Sequence, residues 1–419
     1  MSQPDSVAPA RSVAEFVALM ALMTSIVALS TDAMLPALAI IGADLGVQVA
    51  NDNQLVVSGF FLGLAVGQIF FGPISDSIGR KPAINIGFAI FTAGCVLSVI
   101  ATDFNTMLAG RVLQGVGAAG PRTVAVALVR DQYAGRAMAR IMSFVMTVFI
   151  LVPIVAPMLG QGILLIGTWH GIFILFLALA VLAFLWLSIR QPETLPPEKR
   201  RPFTLGRIGR AVVEVFKSRM AIGAALAAGV IFAAMIGYLT SSQQIFQDTY
   251  GVGDLFPVFF AILAVAIGLA SLVNARLVMR FGMQKLTVWS LSALIVMSTI
   301  FFAIAWSFSG VPPLWSFMVY GLPTFFCMGV LFGNLNAMAM EPLGHIAGVG
   351  SAVVASLTGF LSLIIGSSIG RSYDGTVLPL VGGYGVLAAV ALLLIIWVGR
   401  SRVSGWSVTQ PLRERGTMR

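Results

Sequence analysis

The chain has 419 residues and a formal net charge of +9, yet only 10% of its residues are charged, against 58% apolar and a mean hydropathy of +0.97. Soluble domains carry roughly 25% charged residues, so an ordinary water-soluble globule is excluded. Apolar runs of bilayer length recur from end to end, and the 44 glycines and 19 prolines among them favour a bundle of broken, closely packed helices over a barrel.

Hydropathy places about twelve crossings, near 14–41, 54–72, 83–102, 105–130, 137–166, 171–190, 218–246, 254–280, 286–307, 313–340, 346–372 and 377–399. The first follows a flank, "MSQPDSVAPARSVAEF", that lacks the basic stretch of a signal peptide, and its apolar run is too long for one; it is expected to stay as a membrane helix. Within it, "ALSTDAMLPAL" (28–38) sets Asp32 on the order of 12 Å below the outer boundary. A carboxylate at that depth is costly, so a chain that keeps one usually uses it.

Between crossings two and three, "GPISDSIGRKP" (72–82) combines Gly72 and Gly79, which permit a tight turn, with Asp76, Arg80 and Lys81, opposite charges at a helix end. Crossing four carries Arg111, on the order of 9 Å deep from the outer side, and Arg122, about 20° away around the helix. Gly115 and Ala118 keep that stripe open, so Arg122 is expected to face a cavity rather than lipid, as a substrate contact or a structural tie. Asp131 ends the same crossing, beside the loops that hold Arg80 and Arg136. Crossing five contains "FILVPIVAPMLGQ" (149–161), with Pro153, Pro157 and Gly160.

Six crossings precede the polar stretch "RQPETLPPEKRRPFTLGRIGR" (190–210) and six follow. The expected organisation is a six-helix bundle over 1–190, a cytoplasmic linker over 191–217, and a second six-helix bundle with a short tail over 218–419. The segment "FTLGRIGRAVVEVFKSRM" reads equally as an amphipathic helix on the membrane surface or as a solvated linker. A weak repeat relates the halves: "ARLVMRFGMQKLT" (275–287) follows crossing eight as "GPISDSIGRKPAI" follows crossing two, with Gly282 aligned on Gly79. Six-helix halves related in this way are a transporter pattern, with the substrate site between them near mid-membrane.

With the N-terminus inside, all of the 25 Lys and Arg except Arg111, Arg122 and Arg371 fall on the cytoplasmic side, while the opposite loops hold Asp44, Asp52, Asp103, Asp248 and Asp254. That is the positive-inside rule, with both termini cytoplasmic, and it removes any need for a nucleic-acid partner. Cys95 and Cys327, far apart in apolar spans, read as reduced core residues. Two histidines without ligand clusters argue against a metal site, and the lack of a P-loop pattern leaves ATP-driven transport unsupported; no cofactor is expected.

The pattern in 72–82 closely resembles the signature loop of the major facilitator superfamily. "RVLQGVGAAG" (111–120) resembles that family's R-x-x-Q-G motif, and 149–161 resembles the antiporter motif of its drug exporters. "STDAMLPAL" (30–38) is similar to the D-x-x-x-P motif of twelve-helix drug:proton antiporters, and "VRDQYAGRAMAR" with "APMLGQ" looks most like the Bcr/CflA group, whose members export bicyclomycin, amphenicols and related compounds. Two departures stand out. The antiporter motif usually has Gly-Pro and Gly-Gly pairs where this chain has Val152-Pro153 and Gly160-Gln161, and Thr24 stands where some relatives carry a glutamate.

The resemblance implies an all-α integral membrane protein of the bacterial inner membrane, two six-helix bundles around a central cavity. Its activity would be proton-coupled export of small amphipathic drugs, by a monomer that is not an enzyme. Asp32 and Arg111 would share a level and handle the proton, with apolar surroundings disfavouring the carboxylate and a nearby arginine favouring it. Gly72, Asp76, Gly79, Arg80, Lys81 and Asp131 would latch the halves closed on the cytoplasmic side. Polar and aromatic residues in later crossings, Tyr238, Gln243, Asn334 and Asn336, are candidates to line the pocket with Arg122. Metabolite or sugar efflux, proton symport, and a membrane enzyme or sensor on the same scaffold remain as alternatives.

Overall fold

The computed structural model describes residues 12–403; the N-terminal flank before Ser12 and the tail with Arg413, Arg415 and Arg419 lie outside the described residues, as does the side chain of Arg136. Fourteen α-helices and no strand occur among the described residues. In the first half these are α1 (Val13–Asp32), α2 (Leu38–Asp44), α3 (Leu55–Ile78), α4 (Arg80–Val99), α5 (Phe104–Gln132), α6 (Gly135–Ile166) and α7 (His170–Arg190). A linker helix, α8 (Leu205–Lys217), leads to α9 (Arg219–Gln243), α10 (Phe256–Phe281), α11 (Met283–Ser307), α12 (Leu314–Met340), α13 (Ala347–Arg371) and α14 (Leu378–Val403).

Among the described residues, eleven helical stretches are long and apolar enough to cross a membrane, and the 58-residue one, Leu314–Arg371, is α12 and α13 joined by a 3-10 turn over Glu341–Ile346, which makes twelve crossings. Most expected spans agree within a few residues. The second runs on to Ile78, so the signature "loop" is a helix end, the single residue Gly79 and a helix start. Gly79 sits at φ 111°, in a region that side chains avoid, and this lets two helices meet across one residue. In the linker an amphipathic helix forms: Ile208, Ala211 and Val215 of α8 are buried, while Arg210 and Lys217 are exposed.

The R-x-x-Q-G helix packs almost backbone to backbone with its neighbours. A Cβ on Gly115 would overlap the Phe60 carbonyl of α3, and one on Gly117 would overlap the Phe91 amide of α4. Small residues permit that approach where lipid offers no hydrophobic drive between helices. The halves meet along α3 with α13 and α6 with α10. The side bearing α8 is called the linker face below, and the opposite side the far face.

Candidate functional site

The first crossing is not one continuous helix. It stops at Asp32, makes a 3-10 turn over Leu35–Ala37, and resumes as α2. Pro36 explains the break: it has no N–H to return to the carbonyl four residues earlier, which is that of Asp32, and its ring crowds that carbonyl. The D-x-x-x-P spacing therefore ends a helix at the acidic residue. Gly160 of α6 lies so close to the Ala33 carbonyl that a Cβ would overlap it, so one glycine of the antiporter-like segment seats α6 on this break. Gln161, where the motif usually has a second glycine, donates to the Asp254 carboxylate of the other half at 2.8 Å.

The Asp32 side chain lines a central cavity of about 410 Å³ between the halves. The carboxylate has no hydrogen bond and no ion pair among the described residues, although Asp32 is buried. Around it the walls are aromatic, with Phe61, Phe149, Phe232, Phe260, Phe325 and Phe332, and the other polar groups are Thr31, Gln68, Arg122, Tyr238, Asn336 and Thr358. Tyr238 stacks on Phe260 at 5.4 Å and meets Phe325 edge-on at 4.7 Å; its buried hydroxyl has no hydrogen-bond partner among the described residues. A second cavity, also about 410 Å³, shares Gln68, Arg122, Phe149 and Asn336 with the first and continues to the linker face, past Thr24, Gly72 and Ser75 to Asp76, Arg80 and Arg130.

Of the expected pocket residues, Arg122, Tyr238 and Asn336 line the cavity, and Gln243 and Asn334 do not. Asn334 exchanges two hydrogen bonds with Asn274 of α10, at 3.0 and 3.1 Å. Two residues apart on a helix are about 200° apart, so Asn334 and Asn336 cannot both face one cavity. Gln243 is turned about 140° from Tyr238 and donates to Gln247 beyond the helix end, at 2.6 Å. Gln68 and Thr358 were not anticipated; the only local signal for Gln68 is an amide in the apolar middle of the second crossing.

The expected partnership of Arg111 with Asp32 does not form as an ion pair. Arg111 is fully buried; its Nη2 donates to the Ser30 carbonyl at 2.9 Å, Nε to the Val56 carbonyl at 3.0 Å and Nη1 to Gln114 Oε1 at 2.5 Å. The guanidinium lies over the Phe60 ring at 4.8 Å. Gln114 passes the connection on, donating to the Gly94 carbonyl and Ser98 Oγ of α4. Ser30 is in the last turn of α1, where carbonyls lack helical partners and a cation is favoured. Arg111 thus ties the broken end of α1 to α3 and α5 and positions Asp32 through the backbone.

At the linker face, Arg80 pairs with Asp76 at 2.7 Å and with Asp131 at 2.9 Å, and donates to Ser75 Oγ. Asp76 also meets Arg207 of α8 at 3.5 Å. Glu193 of the linker accepts from the Arg80 and Lys81 amides at 2.9 and 3.1 Å, capping the start of α4, while Lys81 Nζ donates to the Ser188 carbonyl. The charged cluster therefore lies within the first half and the linker; the expected bridge to the second half is not made in this state. Gly72 approaches α13 there, near Ala352 and Gly348. From α8, Glu214 contacts His345 in the turn before α13.

The far face is closed by bonds between the halves. Ser58 and Ser367 hydroxyls are 2.8 Å apart, and Gln54 donates to Gln244 Oε1 and the Gly370 carbonyl. Asn51 donates to the carbonyls of Arg371 and Tyr373, and Arg371 pairs with Asp52 at 2.6 Å. The cavity is therefore sealed from the far face and continuous with the linker face.

The sequence model of the Major Facilitator Superfamily matches residues 20–367. The chain belongs to that superfamily. It is 30% identical over 90% of its length to an uncharacterized MFS-type transporter, YdgK, of Bacillus subtilis, covering 93% of that protein. A bicyclomycin resistance protein homolog of Haemophilus influenzae is 28% identical, with 90% and 94% covered, and a multidrug resistance protein, MdtL, of Salmonella heidelberg is 29% identical, with 86% and 89% covered. Among solved structures, the partially occluded inward-open xylose transporter XylE of E. coli superposes with a TM-score of 0.70 at 13% identity, over 93% of this chain and 97% of that one. The human organic anion transporter MFSD10 gives 0.68 at 16%, over 94% and 100%. These share the fold. The protein is a multi-pass membrane transporter of the superfamily, with small molecules as its substrates, and not an enzyme.

Proposed function

We propose that this superfamily member exports small amphipathic drugs in exchange for protons. It works as a monomer in a bacterial inner membrane, with the linker face and both termini in the cytoplasm. The observation that carries the reading is the Asp32 carboxylate, at membrane depth, in the cavity wall, with no partner among the described residues. A permanent structural ion pair would hold such a group; an unpaired one can exchange its proton with whichever side the cavity meets. The relatives named for bicyclomycin and multidrug resistance support drugs as the cargo.

Arg122, Tyr238 and Asn336 contact the substrate among the aromatic walls. Pro153, Pro157 and Gly160 shape α6 against the Asp32 break, and Arg111 holds that break in place. The 72–81 segment with Asp131 governs access from the cytoplasm. Because Arg122 lines the same cavity as Asp32 without pairing with it, its charge repels a permanent cation, and hydroxyl- or amide-bearing neutral drugs of the amphenicol kind should be exported ahead of quaternary cations.

The test is Asp32→Asn in proteoliposomes under an imposed pH gradient. The variant should reach wild-type levels in the membrane and lose uphill efflux while retaining downhill exchange. Uphill efflux at the wild-type rate would defeat proton coupling through Asp32.

A further inference from the structure

Arg111 and Arg122 lie on one helix, nearly on one face, and their surroundings differ completely. All three nitrogen positions of Arg111 are engaged by two carbonyls and Gln114. Arg122, half-buried between the two cavities, has neither a hydrogen bond nor an ion pair among the described residues.

Neither acid within the cavities neutralises it. Asp32 lines the central cavity but not the one toward the linker face, and forms no ion pair with Arg122. Asp76, at the far end of the second cavity, is already shared by Arg80 and Arg207. An unpaired guanidinium among Phe149, Ala355 and neighbouring apolar walls is expensive to keep, and its planar fork suits a carboxylate. Gln68 and Asn336, which flank the same junction, are neutral amides able to complete the hydrogen bonds of an anion without cancelling its charge.

We propose that Arg122 is an anion subsite. The favoured ligand is then an aromatic amphiphile with one acidic group, held by Arg122 at the junction of the cavities while its ring system lies between Phe61, Phe232 and Phe332. This deepens the reading of the cavity as the substrate site and rests on it. A zwitterion fits best, since a basic group at the other end of the molecule can reach toward Asp32.

The probe pair is a fluoroquinolone, ciprofloxacin, and its methyl ester, which differ by the acidic group alone. Affinities are measured on the full chain in nanodiscs. Wild type should bind the acid at least about tenfold more tightly than the ester. Arg122→Gln should bring the ratio close to one, and Arg122→Lys, which keeps the charge without the fork, should fall between. A wild-type ratio near one, a ratio retained in Arg122→Gln, or no detectable binding of the acid would overturn the subsite. If Arg122→Gln yields no monodisperse protein, an Arg122→Lys ratio equal to wild type overturns it instead. Accumulation of a neutral amphenicol in cells with and without the protein tests the export reading separately. Loss of export with the acid preference intact removes drug export alone, and export with no acid preference removes the subsite alone.

Discussion

Replacing Arg111 with leucine separates two roles that sequence alone merges. The substitution strips the donor from the Ser30 carbonyl and from Gln114 Oε1, while the Val56 carbonyl keeps its bond within α3 and the Gln114 amide keeps its bonds to Gly94 and Ser98. These two acceptors left unpaired cost about 2–6 kcal/mol, at about 1–3 each. Part of this is recovered because leucine buries no charge, leaving a net loss of about 3 kcal/mol. Thermal unfolding in detergent should show it, and Arg111→Lys, which can reach fewer of the three acceptors, should show a smaller loss. Asp32→Asn, with no partner to lose, should unfold like wild type. Wild-type stability in Arg111→Leu, together with lost pH-driven efflux, would refute the structural assignment and return Arg111 to direct proton handling.

Asp76→Asn removes the acid that Arg80 and Arg207 share, and should slow transport well beyond any loss of substrate binding measured in detergent; full transport would reduce the cluster to a topology anchor. Gly160→Val forces a side chain into the Ala33 carbonyl and should cost about 1–3 kcal/mol of stability, read as a lowered Tm; an unchanged Tm would show that α6 can yield there. Cysteines at Ser58 and Ser367, with Cys95 and Cys327 replaced, should crosslink on oxidation and stop efflux until reduced; failure to crosslink would contradict a closed far face.

Helix positions were legible because bilayer thickness imposes a length on apolar runs, and the linker was legible because proline and charge interrupt them. The break after Asp32 was written in Pro36, four residues on, but an apolar run continues through it, and hydropathy averages over the kink. The pocket was half legible. Asn334 and Asn336 are the same residue type in the same crossing, and which of them faces inward depends on how α12 is rotated against α10, information that resides in Asn274 sixty residues away. Arg111 and Arg122 share a helix face for the same reason that they share a spacing. Their roles are separated by neighbours on α1, α3 and the second half. The far-face seal had no local signal: Asn51, Gln54, Gln244 and Arg371 look like ordinary loop and helix-end polar residues until long-range packing brings them together.

That seal and the cavity together indicate how a transporter of this build can switch. Each neutral bond across the far face contributes about 0.5–1.5 kcal/mol net, since water replaces it on opening, and the exposed Arg371–Asp52 pair adds at most about 1 kcal/mol. The whole closure is then on the order of several kcal/mol, firm enough to hold one state and weak enough to reverse. On the linker face the balance is different. Arg80 is held by two carboxylates within the first half, so its pairs do not have to break for that face to open, and Gly72 meets α13 there while α8 reaches His345 through Glu214. The energy that must change between states is therefore concentrated in the far-face bonds and in the two unpaired charges of the cavity. Neutralising Asp32 with a proton, or Arg122 with a substrate anion, acts on the second of these without touching the first. A ligand can bias the switch only through its different affinity for the two states, and these two side chains are where the structure leaves such a difference to be made.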